Sequence, residues 1–189
     1  MEDEYEIKTS DLEIGNKVKL VSYPNHNVNI SVDINFAEWL GMMVGDGNLN
    51  KGIPRFTNKD INVKNRFVQL WESFVKDGKC EFKDSKSGFT DDSIGQVICK
   101  GKIPDEVIEI YTDNYISPFG HVNKKVPICI LNSSIDAMEA FLVGYNSCDG
   151  LKSNKCKYRF KNFKTNSHSL AAGLLYLVSK VTGQKYNIT

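Results

Sequence analysis

Residues 39–47 read WLGMMVGDG, and residues 142–150 read LVGYNSCDG. The two stretches align Gly41 with Gly144, and each glycine lies inside an apolar run that is typical of a buried helix. Glycine inside a helix costs roughly 1 kcal/mol relative to alanine, so a close approach of two helix backbones is expected to offset that cost. The repeated stretch therefore predicts two helices that pack side by side.

Each of these helices ends in an Asp-Gly pair, at Asp46 and at Asp149. The C-terminal end of a helix already carries partial negative charge, which makes it an unfavourable place for a carboxylate. If the helices pack side by side, the two carboxylates meet and need a proton or a cation. Oxygen ligands of this kind suit Mg²⁺, or Mn²⁺, so the pattern predicts a metal site on a pseudo-twofold axis. The alternative is that each Asp-Gly pair is an ordinary turn that ends a helix.

The order of the predicted elements indicates an internal repeat whose second copy is shorter. Apolar periodicity predicts helices at 36–45, 61–76, 106–115, 135–147 and 167–182, strands at 53–57, 79–83, 94–100 and 158–163, and a hairpin within 5–23. Asn35 is the expected N-cap of the first motif helix. The predicted fold class is α+β, with two pseudo-symmetric αββαββα-type repeats around the paired motif helices and an incomplete second repeat.

The charge of the chain is distributed very unevenly. The 189 residues have a formal net charge of +1, yet all 23 acidic residues lie before residue 151, whereas eight of the 24 basic residues follow residue 150. Such an asymmetry between segments favours a polyanion-binding face. Lysine-rich faces that are merely solvated are the alternative.

Cysteine usage and hydropathy predict the compartment. The five cysteines form no C-x-x-C pair, which is typical of free thiols in a reducing compartment. No apolar run approaches the roughly 18 residues that span a bilayer, and the acidic N-terminus does not resemble a signal peptide. We therefore expect an intracellular protein, cytoplasmic or nuclear, without a membrane partner.

Residues 36–50, 124–150 and 160–176 resemble the LAGLIDADG (dodecapeptide) homing endonucleases, particularly the type inserted in inteins, of which this chain would be a truncated fragment. Residues 11–20 (DLEIGNKVKL) are similar to the segment that closes the N-terminal half of an intein splicing domain. The resemblance divides the chain into an N-terminal hairpin and linker (1–34), a first repeat (35–132) and a truncated second repeat (133–189).

The resemblance implies a DNA endonuclease that makes a double-strand break by metal-dependent phosphodiester hydrolysis. Asp46 and Asp149 match the family's metal-binding catalytic acids, the carbonyls of Gly45 and Cys148 would add ligands, and Lys124 matches a catalytic basic residue. The implied partners are double-stranded DNA and, in cis, a host protein and an intein splicing domain.

The resemblance implies that strands beyond the motif helices lie in the major groove, so basic residues there are the expected DNA contacts. The candidates are Lys51 and Arg55 in the first repeat, and Lys152, Lys155, Lys157, Arg159, Lys161 and Lys164 in the second.

Two other hypotheses remain open. The first is a non-cleaving nucleic-acid-binding module, degenerate or maturase-like, which keeps the helices and the basic face without needing both Asp46 and Asp149. Polar residues at Asn146 and Ser147, where the family is usually apolar or acidic, favour such a departure. The second is an unrelated α+β protein in which the Asp-Gly turns are structural.

Overall fold

The computed structural model describes residues 11, 13–14, 30–86, 93–115, 124–150, 160 and 163–183. In this part of the chain the fold is α+β. The helices are α1 (Ile34–Asp46), α2 (Ile61–Phe74), α3 (Asp105–Tyr115), α4 (Ile128–Leu131), α5 (Ile135–Asp149) and α6 (His168–Thr182); the strands are β1 (Gly47–Asn50), β2 (Ile53–Thr57), β3 (Lys79–Lys86) and β4 (Ser93–Lys100).

The four strands form one antiparallel sheet in the order β1-β2-β4-β3. The two-residue turn between β1 and β2 contains Lys51 at φ 52° and Gly52 at φ 77°. Two positive φ values in a row are the requirement of the tight hairpin turns whose twist matches that of the strands. β1 begins at the residue after α1, so the sheet starts where the first motif helix ends.

Alternation of side chains gives the sheet one apolar and one polar face. Phe56 and Val97 are partners across β2 and β4, and both are fully buried on the face that the helices cover. Under this face, Trp39 of α1 packs against Phe67 and Trp71 of α2, with ring centroids 5.5 Å and 5.2 Å apart. Phe67 in turn stacks on Phe56 of β2 at a centroid distance of 4.4 Å, so this aromatic cluster joins α1 and α2 to the sheet.

The two motif helices, α1 and α5, lie in direct backbone contact. A Cβ atom added at Gly41 would lie 2.0 Å from the carbonyl oxygen of Phe141, and one added at Gly144 would lie 2.0 Å from that of Glu38. Both positions therefore exclude any side chain, which is the physical reason for glycine in the two apolar helices. The expected side-by-side packing of the two motif helices is thus present.

Several element boundaries differ from those expected. Asn35 is not the N-cap of α1: the Oδ1 atom of Asp33 accepts the bond from the Phe36 amide at 2.9 Å, because the helix starts at Ile34. α5 continues to Asp149 and is capped by Gly150. β1 and α4 were not predicted, since segments of four residues are too short to show a period.

Part of the predicted architecture lies outside the described residues. This is the case for nearly all of the 5–23 hairpin and for most of the 158–163 strand; Phe163 forms an isolated bridge with Gly150. The arrangement as two pseudo-symmetric repeats, and the domain boundaries drawn from it, stay predictions.

Within the described ranges, the helices are too short or too polar to cross a membrane. Cys80, Cys99, Cys129 and Cys148 are free thiols.

Candidate functional site

The two predicted acids lie together where the paired helices end. Asp46 is the last residue of α1, and Asp149 is the last residue of α5. A Cβ atom added at Gly45, next to Asp46, would lie 3.9 Å from Oδ2 of Asp149. The close glycine contacts further up the helices thus bring the two carboxylates to one place.

Asp46 is half-buried, and its surroundings disfavour its charge. Burial raises the pKa of the Asp46 carboxyl above its ordinary value, and the neighbouring Asp149 carboxylate raises this pKa further. A hydrogen bond from Asn58 and the positive charge of Lys124 act in the opposite direction. The site therefore has more negative charge than the protein around it neutralises.

Asn58 is a site residue that the sequence did not reveal. Its Nδ2 donates to Oδ2 of Asp46 at 2.6 Å, and its Oδ1 accepts from the backbone amide of Asp60 at 2.8 Å. The second bond locks the amide, so that the first one fixes the Asp46 carboxylate. The available signal was the Asn-Lys-Asp turn between a strand and a capped helix, since Asn in such turns often bonds to the backbone two residues on.

Lys124 reaches the same place from a different part of the chain. Its Nζ donates to the carbonyl oxygens of Val44 at 2.7 Å and of Gly45 at 2.9 Å. Burial lowers the pKa of Lys124, while Asp149 and then Asp46 raise it by their charges. The Gly45 carbonyl, expected as a metal ligand, is thus already an acceptor for a lysine of the same protein.

Two further groups surround Asp149. Burial raises the pKa of the Cys148 thiol, and the nearby Asp46 carboxylate raises it further, so the thiol stays protonated. The Tyr145 hydroxyl donates to the Lys164 carbonyl oxygen at 3.0 Å, and burial followed by the Asp149 charge raises the pKa of Tyr145. Neither group is a metal-binding anion at neutral pH, which leaves the two carboxylates as the charged ligands of the site.

The donor chemistry of the site fits a hard divalent cation. Among the described residues no group of three or more His, Cys, Asp and Glu side chains is arranged to hold a metal. Two carboxylates are nevertheless the kind of ligand set that Mg²⁺ uses, because this ion keeps several waters and takes one or two carboxylates.

The predicted DNA contacts are only partly described. Lys51 is exposed in the β1–β2 turn, Arg55 lies on the polar face of the sheet, and Lys164 is exposed after Phe163. Lys152, Lys155, Lys157, Arg159 and Lys161 lie outside the described residues. Lys79, Lys83 and Lys100 also lie on the polar face, on the side of Arg55, and were not predicted, because strand register decides which lysines share a face.

No protein-family model matches the chain. Over 155 residues the chain is 32% identical to a protein of Methanocaldococcus jannaschii named replication factor C small subunit; the match covers 76% of this chain and 7% of that protein. Over 152 residues it is 27% identical to a protein of the same name from Thermococcus kodakarensis, with 76% of this chain and 15% of that protein covered. Most of the length of both relatives thus lies outside the match.

The names of these relatives contradict the assignment to the LAGLIDADG homing endonucleases. Both belong to replication factor C, and neither is named as an endonuclease, an intein or a maturase. The prediction of double-strand cleavage is therefore wrong. So are the intein and its host protein as partners in cis, and so is the maturase-like alternative. The structure shows that Asp46, Asp149 and Lys124 lie close together, but the catalytic roles that the resemblance implied for them are withdrawn.

Proposed function

We propose that the chain is a double-stranded-DNA-binding part of a longer protein similar to replication factor C small subunits. Both relatives are named as replication factors, and DNA is the molecule on which replication acts. Binding to DNA would place the chain in the cytoplasm or the nucleus.

The polar face of the sheet supports this proposal by its charge. The described side chains of the face include four basic residues and one acid, Glu81, whose carboxylate pairs with Lys100 at 3.2 Å. Its described members are Asn48, Asn50, Ile53, Arg55, Thr57, Lys79, Glu81, Lys83, Gln96, Ile98 and Lys100. An excess of positive charge on a twisted antiparallel sheet suits the phosphate backbone, and polar side chains between the lysines suit base edges.

The single observation that carries the proposal is the unsatisfied hydrogen-bond donor of Arg55. Its Nε is buried and has no hydrogen-bond partner among the described residues. A buried donor without an acceptor is costly, and an arginine in this state is suited to a ligand that supplies acceptors. DNA supplies them as phosphate oxygens or as the O6 and N7 atoms of guanine, which arginine binds in a bidentate manner.

We also propose that Asp46 and Asp149 hold Mg²⁺, or Mn²⁺, beside this face. Asp46 is followed directly by β1, and Asn58, which bonds to Asp46, follows β2 directly, so the acid pair lies at the end of the β1–β2 strand pair. The two carboxylates carry more negative charge than Lys124 offsets, and this excess would repel a phosphate backbone that approaches the sheet. A divalent cation supplies the positive charge that removes this repulsion.

The test is the binding of a fluorescent DNA duplex to the 189-residue chain, measured by anisotropy at low salt. We expect Arg55→Ala and Arg55→Lys to weaken binding by roughly tenfold, because lysine keeps the charge but not the bidentate geometry. Lys76→Ala is the control, since Lys76 is exposed in the turn after α2 and is not part of the strands that form the polar face.

An equal loss of affinity for the Arg55 and Lys76 variants, or no duplex binding by the wild-type chain, would refute the proposal. The DNA is recovered and run on a denaturing gel, so that the anisotropy is known to report binding to intact duplex. Thermal unfolding of each variant verifies that it is folded at the temperature of the assay.

A further inference from the structure

The side chain of Lys124 reaches the C-terminal end of α1. Its Nζ lies within hydrogen-bond distance of the Val44 and Gly45 carbonyl oxygens, at 2.7 Å and 2.9 Å. These carbonyls belong to the last turn of α1, where helix geometry leaves carbonyl groups without a partner within the helix. The last turn of α1 contains no basic residue of its own. Lys124 therefore supplies from outside the helix the positive charge that this helix end favours.

The ammonium group also interacts electrostatically with both carboxylates of the acid pair. Gly45, whose carbonyl the ammonium binds at 2.9 Å, precedes Asp46 directly, and a Cβ atom added at Gly45 would lie 3.9 Å from Oδ2 of Asp149. Burial lowers the pKa of Lys124, and the charges of Asp149 and Asp46 raise it. One ammonium beside two carboxylates reduces their combined charge from −2 to −1. The remaining negative charge is what a divalent cation would have to offset.

The backbone of Lys124 is held in place by a separate contact. Its carbonyl oxygen accepts a hydrogen bond from the hydroxyl of Ser167, which is 2% exposed and is the N-cap of α6. Two residues further on, Val126 contacts Gly173 of α6, where an added Cβ would lie 2.6 Å from a methyl group of Val126. The lysine is therefore anchored to α6 while its side chain reaches the end of α1.

We propose that Lys124 is a built-in counter-ion, which holds the Asp46–Asp149 pair together in the cation-free protein and competes with a divalent cation for it. The inference concerns the same acid pair as the proposed function, and only its second half rests on the proposed metal. The lysine acts as a positioning residue: it keeps the two helix ends together when no metal is bound, and it sets how tightly the metal binds.

The first test measures thermal unfolding in EDTA and needs no metal. Lys124→Met is compared with the wild type, and the same substitution is made in a background that carries Asp46→Asn and Asp149→Asn. We expect Lys124→Met to lower the Tm by about 5 °C in the wild-type background and by much less in the background without the acids. Lys124→Arg, which keeps the charge, should recover part of the loss. An equal loss in both backgrounds would overturn the proposal, because Lys124 would then act only as a cap for the α1 carbonyls.

The second test titrates Mg²⁺ into the same proteins by calorimetry and follows the Tm with Mg²⁺. We expect Lys124→Met to bind Mg²⁺ roughly tenfold more tightly than the wild type, since the competing charge is gone. Its Tm should also rise more steeply with Mg²⁺, because a ligand that binds only the folded state stabilises it. Lys102→Met, at an exposed lysine between β4 and α3, is the matched control and should leave both quantities unchanged.

The two tests separate the counter-ion from the proposed function. Weaker or unchanged Mg²⁺ binding by Lys124→Met, with normal binding by the wild type, would overturn the competition. No Mg²⁺ binding by any variant would refute the proposed metal site and the competition with it, while the result in EDTA still decides whether Lys124 is the counter-ion of the acids. DNA binding by the sheet is measured separately through Arg55.

Discussion

At the scale of single residues, the surroundings of Asp46 disfavour the charged form of its carboxyl group. Burial and the adjacent Asp149 both raise its pKa, whereas Asn58 and Lys124 lower it. A carboxyl with a raised pKa binds its proton more tightly in the folded than in the unfolded protein. Without metal, the folded state is therefore favoured at low pH, and this contribution is lost as the pH rises from the ordinary value of 3.8 through the folded pKa.

The corresponding prediction is that Asp46→Asn stabilises the metal-free protein at neutral pH. The substitution removes one of two facing charges, and the side-chain oxygen of asparagine still accepts the bond from Asn58. We expect the Tm in EDTA at pH 7 to rise by about 2 °C, and the difference from the wild type to shrink as the pH is lowered. Glu106→Gln, at an exposed acid in α3, should leave the Tm nearly unchanged. A lower Tm for Asp46→Asn at pH 7 in EDTA would contradict the electrostatic description of the site.

The individual acids could be found from the sequence, but their neighbours could not. Asp46 and Asp149 follow apolar helices with a glycine in the same place, a pattern that a single chain reveals. Asn58 bonds to Asp46 from 12 residues further along the chain. Lys124 bonds to Gly45, the neighbour of Asp46, from 79 residues further along. No short-range pattern records such contacts, because they depend on how the strand and the helices are placed in three dimensions.

At the scale of the elements, the contact between α1 and α5 organises the site. The helix backbones approach so closely at Gly41 and Gly144 that a Cβ atom at either position would overlap a carbonyl oxygen of the other helix. The overlap is with backbone, which cannot move aside as a flexible side chain can. The position of the acid pair at the helix ends follows from this contact.

We therefore expect Gly41→Ala to destabilise the protein, although alanine favours a helix more than glycine does. An overlap with backbone at this distance costs about 3 kcal/mol or more, against a gain of roughly 1 kcal/mol in helix propensity. The loss is measured as a shift of the urea midpoint with the slope unchanged. Gln69→Ala, on the exposed side of α2, is the control for a substitution to alanine within a helix. A Gly41→Ala variant as stable as the wild type would show that the helices do not approach in this way.

The long elements could be predicted because their periodicity is strong, and the short ones could not. The expected strand at 53–57 coincides with β2, and the expected helix at 61–76 contains α2. β1 and α4 have four residues each, and their formation depends on the partner strand and on the preceding proline rather than on a local period. The sequence also could not tell which lysines share the polar face, since this is decided by the register between β3 and β4.

At the scale of the whole molecule, charge is separated rather than balanced. The net charge of +1 combines an acidic N-terminal part with a stretch after residue 150 that contains no acid. Within the described residues, the separation continues between the acid pair at the helix ends and the basic face of the sheet. Such a distribution allows a nearly neutral chain to bind a polyanion on one face.

The chain matches a short part of two much longer proteins. The matches cover 7% and 15% of two proteins named as replication factor C small subunits, so the chain corresponds to a small part of each. The resemblance of the motif helices to a family of homing endonucleases implied that the chain is a truncated piece of a DNA endonuclease, which these names contradict. A short sequence pattern can predict that two helices pair and bring two acids together. The function of the acid pair, however, depends on the rest of the protein.

The most direct test of the central claim is the salt dependence of duplex binding by the wild-type chain and by a variant with Lys79, Lys83 and Lys100 replaced by alanine. Each lysine that contacts a phosphate contributes about 0.9 to the slope of log affinity against log salt concentration. We expect the slope to be shallower by about 2 to 3 in the triple variant, with weaker binding at every salt concentration. An unchanged slope, with both proteins folded, would contradict the assignment of the polar sheet face to DNA.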